Sequence, residues 1–307
     1  MCIRDRNKKN YHLGFLIYEQ NHEDKENYSI QSGIRFDLHE ISLDDNVGID
    51  QQYVEYSKSL KAFSPNLGLI YNLNRNDEVY INYGESYETP SLSELSANPN
   101  GVGFNEDLSP MNSSGFDIGF RKKSQNLSYS ITAFYIDTKD EIVRYELEGF
   151  EGMNFYRNLG TSKRVGTELE ASYNLGSPGK LKASYTQAKY KFKNQQISGD
   201  LAGIPKSNFT LEWLYGYKDF DLKMDLKYVN SLYADNNNEV KVPSYLLSNI
   251  ALKNEFNFRG FYLEVGLHVR NLLDEKYFDN IRTNAFGNRF YEPASLRHFI
   301  FSINAIF

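Results

Sequence analysis

The chain has 307 residues, 40 of them acidic and 34 basic, for a formal net charge of −6, and its Lys and Arg form no basic block, which excludes a nucleic-acid binder built on a positive patch. Only 40% of residues are apolar and no run approaches the roughly 18 apolar residues of a membrane helix, so a helical membrane protein is excluded too. A membrane barrel stays open, because its strands are apolar only at every second position.

Aromatic residues make up 15% of the chain, 24 Tyr, 21 Phe and 1 Trp, a content suited to a protein that lines an interface with rings. Cys2 is the sole cysteine, so there is neither an intrachain disulfide nor a cysteine metal site. Residues 1–10, MCIRDRNKKN, are charged and patternless and carry no signal-peptide pattern, so they are expected to be a non-native or disordered start.

From there the dominant signal is period two. It predicts strands at about 11–20, 28–38, 62–73, 78–85, 112–122, 127–137, 164–175, 180–190, 207–217, 220–229, 246–257, 261–271 and 297–307. In one, Phe220, Leu222, Met224, Leu226 and Tyr228 alternate with Asp221, Lys223, Asp225 and Lys227. In another, Phe261, Leu263, Val265, Leu267 and Val269 alternate with Glu264, His268 and Arg270. Such strands are nearly twice the usual 5 or 6 residues, and close to the roughly 9–11 that cross a bilayer at a tilt. Tyr71, Tyr83, Tyr135, Tyr173, Tyr217 and Tyr228 fall toward strand ends, where interfacial girdles belong.

The connections alternate. NRND, KKSQ, LGSPG, GYK and FRG are tight turns, and long polar segments at about 39–61, 86–111, 138–163, 191–206, 230–245 and 272–296 lie between them. Short turns on one rim and long loops on the other is the layout of an outer-membrane barrel. A closed single-chain barrel of this kind normally has an even number of strands. An odd number, beginning and ending with strands of the same direction, predicts that 11–307 is the C-terminal part of a larger barrel.

Four segments resemble the C-terminal barrel of TonB-dependent outer-membrane receptors of the siderophore type. They are VYINYGESYETPSLSEL at 79–95, NLGTSKRVGTELEASYNL at 158–175 (with Asn158, Gly160, Gly166, Glu168 and Glu170), GIPKSNFTLEWLY at 203–215 and VRNLLDEKYFDN at 269–280. The resemblance covers roughly residues 60–307. It implies an all-β, antiparallel transmembrane barrel of roughly 22 strands, of which this chain would hold about 13, with the plug domain absent. It further implies residence in the bacterial outer membrane in contact with its lipid, an iron-chelate ligand, a TonB-type periplasmic energy-coupling partner acting through the missing N-terminal region, and the barrel assembly machinery, which reads the terminal Phe307.

Glu168, Glu170, Lys182, Glu212, Asp221, Lys223, Asp225, Lys227, Lys253, Glu255, Glu264 and Arg270 fall in the polar phase and are expected to line the lumen as a solvated, ion-paired wall. A compact, often anionic ferric chelate calls for Arg for charge and Tyr or Phe for stacking. The long loops supply Arg144, Tyr145, Tyr156 and Arg157 in one, Arg282, Phe286, Arg289, Phe290 and Tyr291 in another, and Tyr87 and Asn105 in a third. Catalysis is not expected: His12, His22, His39, His268 and His298 form no metal-spaced pair, and no hydrolase or phosphate-binding motif occurs. No cofactor and no protein-held metal is expected, since iron would arrive already chelated. The expectation is TonB-energised uptake of a ferric siderophore; the alternatives are another cargo (cobalamin, haem, oligosaccharide), or a passive porin or structural barrel.

Overall fold

The computed structural model describes residues 4–20, 27–45, 54–101, 103–177, 179–193 and 199–306. In chain order the strands are β1 (Arg4–Gln20), β2 (Tyr28–Asp45), β3 (Val54–Asn72), β4 (Asp77–Glu88), β5 (Met111–Lys123) and β6 (Leu127–Lys139). A loop hairpin β7 (Ile142–Tyr145) and β8 (Phe155–Asn158) follows, then β9 (Ser162–Asn174), β10 (Gly179–Phe192), β11 (Ser207–Tyr217) and β12 (Phe220–Val229). A second hairpin, β13 (Leu232–Tyr233) and β14 (Lys241–Val242), precedes β15 (Tyr245–Phe258) and β16 (Phe261–Arg270). The chain ends with a third hairpin, β17 (Phe278–Ile281) and β18 (Tyr291–Pro293), and β19 (His298–Ile306). The one described α-helix, α1 (Leu92–Ser96), starts at a capping box: the Ser91 hydroxyl accepts from the Glu94 amide, and the Glu94 carboxylate accepts from the Ser91 amide at 2.7 Å.

The thirteen long strands form one antiparallel sheet in the order β1-β2-β3-β4-β5-β6-β9-β10-β11-β12-β15-β16-β19, each paired with its neighbour along the chain. Among the described residues β1 and β19 are its two edges. The thirteen strands expected from the periodicity are these thirteen. β1 starts at Arg4 rather than at Tyr11. The expected assembly residue Phe307 lies outside the described residues.

The pairing keeps the alternation in step across the sheet. Ile131, Leu169, Tyr185 and Phe209 are successive cross-strand partners in one phase, and Thr132, Glu168, Thr186 and Asn208 in the other. The apolar phase stays exposed: Phe63, Leu67, Ile118, Ile131, Phe299, Phe301 and Ile303 are all more than 40% accessible. A soluble sandwich would bury this face, so its exposure fits a surface solvated by lipid. From Leu127, opposite Tyr173, to Tyr135, opposite Val165, the band spans about 26 Å along the strand at 3.3 Å per residue, which a tilt of about 35–45° turns into roughly 20 Å of height. An outer-membrane apolar band is about 25 Å tall. The polar phase is concave. Arg121, Ser130, Glu170, Lys182, Glu212 and Asp225 line a trough of about 790 Å³ on it.

The segment expected as a loop at 39–61 is instead strand for most of its length, with β2 reaching Asp45 and β3 starting at Val54. The alternation persists there with its polarity inverted. Ile41 and Leu60 point to the inner side and are buried, while Glu40 in the opposite phase is exposed. β10 inverts the same way: Leu181, Ala183 and Tyr185 face outward and are followed in the same phase by Gln187, Lys189 and Lys191, as Ala188 and Phe192 become buried on the inner side. Above the bilayer water lies outside, and the loops supply an apolar partner inside.

The buried apolar clusters therefore sit on the long-loop rim. Ile41, Leu60, Leu95, Phe104 and Leu108 form one, Ala234, Val242, Ala285 and Phe290 a second, and Leu159, Phe192 and Leu201 a third.

Candidate functional site

Side chains that answer the backbone of neighbouring loops join the long loops into one layer. The Asn158 amide donates to the Ser109 carbonyl at 2.9 Å and to the Asp140 carbonyl at 2.6 Å, while its oxygen accepts from the Ser109 amide at 2.7 Å. Asn238 and Asp200 exchange two bonds across a second loop pair, at 2.6 and 2.8 Å. Asn284 links three loops: its oxygen accepts from the Asn236 amide at 2.9 Å, and its nitrogen donates to the Arg144 carbonyl at 3.0 Å. Asn284 has φ of +54°, a left-handed conformation that Asn tolerates better than most residues.

At the centre of this layer is a carboxylate that the choice of loop residues by type did not include. The Glu146 side chain is 1% accessible and is held by Arg289 Nη2 at 2.8 Å, Arg144 Nη2 at 3.3 Å and the Phe286 amide at 3.2 Å. Two candidate arginines from different loops thus meet on one buried anion. Arg144 Nε is buried with no hydrogen-bond partner among the described residues, so this guanidinium keeps an unused donor. Arg282 pairs with Glu292 at 2.5 Å, and Asn280 adds a bond to the other oxygen at 3.2 Å. Arg282, and after it Asn280, holds the Glu292 carboxyl below its ordinary range, and the Arg144 charge acts in the same direction.

The remaining candidates divide into two groups. Arg157 lies over the Tyr145 ring at 4.9 Å in the β7–β8 hairpin, and Tyr291 stacks on Phe278 at 4.3 Å in the β17–β18 hairpin. Phe286 is exposed, whereas Phe290 is buried in the second apolar cluster. Tyr87 and Tyr156 pack instead against the cluster of Ile41, Leu95 and Phe104. Asn105 is buried there with its amide donating to the Tyr156 carbonyl at 3.1 Å. Arg144 and Arg289 sit around Glu146, Arg157 and Tyr291 pack within their own hairpins, and Tyr87, Asn105 and Tyr156 sit in the packing between loops.

On the concave wall the polar phase forms ion pairs. Glu212 joins Lys182, at 2.8 Å, and Lys223, and Lys253 joins Glu264 at 2.7 Å and Glu255 at 2.9 Å. Arg121 pairs with Glu78 and lies over Tyr80 at 5.0 Å. His268 and His298 share this phase, opposite Ile300 and Arg270.

The segments that carry the family resemblance have structural duties. A Cβ on Gly166 would lie 2.5 Å from both the Ala188 Cβ and the Gln187 carbonyl, so β9 and β10 approach closely only without a side chain there. Asn271, which is buried, accepts from the Glu275 amide at 2.9 Å and donates to the Glu275 carbonyl at 2.8 Å, and Asp274 accepts from the Arg297 amide at 2.9 Å. Tyr277 packs on Tyr245 at 4.8 Å.

Similarity to known proteins agrees with this architecture. The catecholate siderophore receptor Fiu of Escherichia coli K12 is 26% identical over 266 residues, covering 83% of this chain and 34% of the relative. The ferrioxamine B receptor of Salmonella typhimurium LT2 is 25% identical over 225 residues, covering 70% and 30%. The chain spans about a third of the length of these relatives. Among solved structures, the copper transporter OprC superposes with a TM-score of 0.77 at 18% identity, covering 96% of this chain and 47% of that one. Fiu in its closed form superposes with a TM-score of 0.71 at 20% identity, covering 98% and 45%. These relatives are named as receptors and transporters, not enzymes. Residues 4–272 match the family described as TonB dependent receptor-like, beta-barrel. The chain belongs to that family of outer-membrane β-barrels.

Proposed function

We propose that this chain is the C-terminal part of the barrel of a longer receptor, which takes up a ferric siderophore across the outer membrane with energy from a TonB-type periplasmic protein. The observation that carries the reading is the arginine group around Glu146. Arg144, Arg282 and Arg289 stand within one layer of interlocked loops, with Tyr145, Arg157, Phe286 and Tyr291 in the same two loops. Guanidinium groups and exposed rings are what an anionic aromatic chelate requires. The names of two sequence relatives, a catecholate siderophore receptor and a ferrioxamine B receptor, support the same class of cargo. Capture falls to the loops and the concave wall serves as conduit.

The test uses the full receptor that carries this chain, in cells lacking their own siderophore receptors. Binding and iron-limited growth are measured with a ferric tris-catecholate, with ferrioxamine B and, as a contrasting cargo, with vitamin B12. Arg144→Ala and Arg282→Ala are expected to weaken binding of the tris-catecholate about tenfold. Growth on neither ferric chelate, or dependence on vitamin B12 alone, overturns the iron reading. Growth that is unchanged when the TonB protein is deleted overturns energised import.

A further inference from the structure

Among the described residues, every candidate arginine of the long loops already has a counterpart. Arg144 and Arg289 share the Glu146 carboxylate, at 3.3 and 2.8 Å, Arg282 pairs with Glu292 at 2.5 Å, and Arg157 lies over the Tyr145 ring. The pairs act on one another. Arg282 is held protonated first by Glu292 and also by the Glu146 charge, and the Arg144 charge adds to Arg282 and Asn280 in keeping Glu292 ionised. The exposed Glu151 carboxyl lies below its ordinary range, held there first by the Gly149 amide, which donates to it at 2.9 Å, and also by the Arg289 charge. Arg144, Arg282 and Arg289 therefore face Glu146, Glu151 and Glu292, and the six charges cancel. The two loops that carry them, 140–161 and 271–297, hold nine carboxylates and six cationic side chains. A surface that gathers highly charged anions leaves its cations uncompensated. This one compensates them.

Glu146 differs from the other two acids in its depth. Its side chain is 1% accessible, against 41% for Glu292, and Glu151 is exposed. The Phe286 amide at 3.2 Å and the Gly152 amide at 3.5 Å also donate to it, so its position is fixed from two loops. Arg282 and Arg289 are half exposed, and a ligand meets these guanidiniums with the buried carboxylate beneath Arg289. Water and salt screen a buried charge far less than an exposed one, so the field of Glu146 reaches such a ligand most strongly.

We infer that Glu146 is a specificity-determining residue that sets the charge of the cargo: by cancelling one of the two positive charges of Arg144 and Arg289, it favours an aromatic iron chelate of low net charge over a trianionic one. This role presupposes the proposed capture of a ferric chelate by the same loops. The arginines still donate to the chelate's oxygens, and Glu146 acts on it through its field.

The experiment uses the full receptor carrying this chain and two synthetic chelates on one scaffold. A ferric tris-catecholate is a trianion, and the corresponding ferric tris-hydroxypyridinone is neutral with rings of the same shape. The affinity of the purified receptor for each is measured, and the ratio of the two is the readout. Loosening of the loops weakens both and cancels from that ratio. The wild type is expected to hold the two chelates within about tenfold of each other. Glu146→Gln moves the ratio about tenfold toward the trianion, and Arg289→Gln moves it toward the neutral chelate. Glu292→Gln, on the half-exposed hairpin, moves it in the same direction as Glu146→Gln but by less. An unchanged ratio in Glu146→Gln, with both affinities lowered alike, makes Glu146 a structural tie only and overturns the charge role. Should Glu146→Gln fail to assemble, unchanged ratios in both Glu292→Gln and Arg289→Gln overturn it. A wild type that prefers the trianion by more than about a hundredfold does the same. A wild type that binds neither chelate refutes the capture of a ferric chelate itself, and the charge role with it.

Discussion

Arg289 donates its Nη2 to Glu146 at 2.8 Å across 143 positions of the chain, and so fastens the loop after β16 to the loop after β6. The acceptor is buried and Arg289 is half exposed, so the tie is held from the Glu146 side. Glu146→Gln removes the charge that two arginines share while keeping the shape. Its expected cost to local loop stability is about 1–3 kcal/mol, the range for leaving buried polar groups poorly satisfied. Hydrogen exchange should rise in both 142–158 and 278–293 together, with the barrel strands unchanged. Faster exchange in only one of the loops would disprove the tie.

Acid should loosen the β17–β18 hairpin. Glu292 has its folded pKa depressed, first by Arg282 and then by Asn280. Such a group contributes stability above its unfolded pKa, near 4.3, and loses that contribution as pH falls through the lowered folded value. Hairpin protection is expected to be flat from pH 7 down to about 5 and to decline below about 4. In Arg282→Gln the Glu292 carboxyl titrates nearer its ordinary value, so folded and unfolded values converge and the acid-dependent decline becomes smaller. Carbon NMR of the Glu292 carboxyl against pH checks both.

The exposed apolar phase makes a directional prediction. Ile131→Arg places a cation on the lipid side near mid-band and should cost about 2–4 kcal/mol of barrel stability. Thr132→Arg, one residue on and facing the lumen, should cost far less. Urea unfolding in lipid vesicles, followed by tryptophan fluorescence, measures both, and equal costs would mean that the faces are misassigned.

Gly166→Val tests the close approach of β9 and β10. The new Cβ meets the Gln187 carbonyl and Ala188 at 2.5 Å, so the backbone must part. A loss of about 1–3 kcal/mol is expected, as for overpacking elsewhere. Gly166→Val combined with Ala188→Gly should recover little, because the carbonyl contact remains.

Strand number, order and phase were legible because side-chain direction alternates with period two wherever one face meets lipid and the other water. The reading failed at 39–61, where the strands continue but the solvents exchange sides, so that Ile41 and Leu60 point inward in place of polar residues. An apolar-outward template stops at such an inversion. The candidate site was legible by residue type only. Arg144 and Arg289 are readable as loop cations, yet nothing local marks Glu146 as their meeting point, since Arg289 lies far along the chain. Asn158, Asn238 and Asn284 are similar cases: Asn abundance in the loops signals turns, and which backbone each one answers is decided by the packing of separate loops. Tyr87, Asn105 and Tyr156 have ligand-binding chemistry, but sit where loops pack on one another.

Because every long strand pairs only with those adjacent to it in the chain, the sheet is a ribbon whose width is modular. Removing β11 and β12 with the loop between β12 and β15 would leave β10 and β15 antiparallel, with their free ends on the same rim and both apolar phases outward. Circumference can therefore change by whole hairpins without altering any other pairing, whereas loss of a single strand would reverse every strand after it and exchange the two rims.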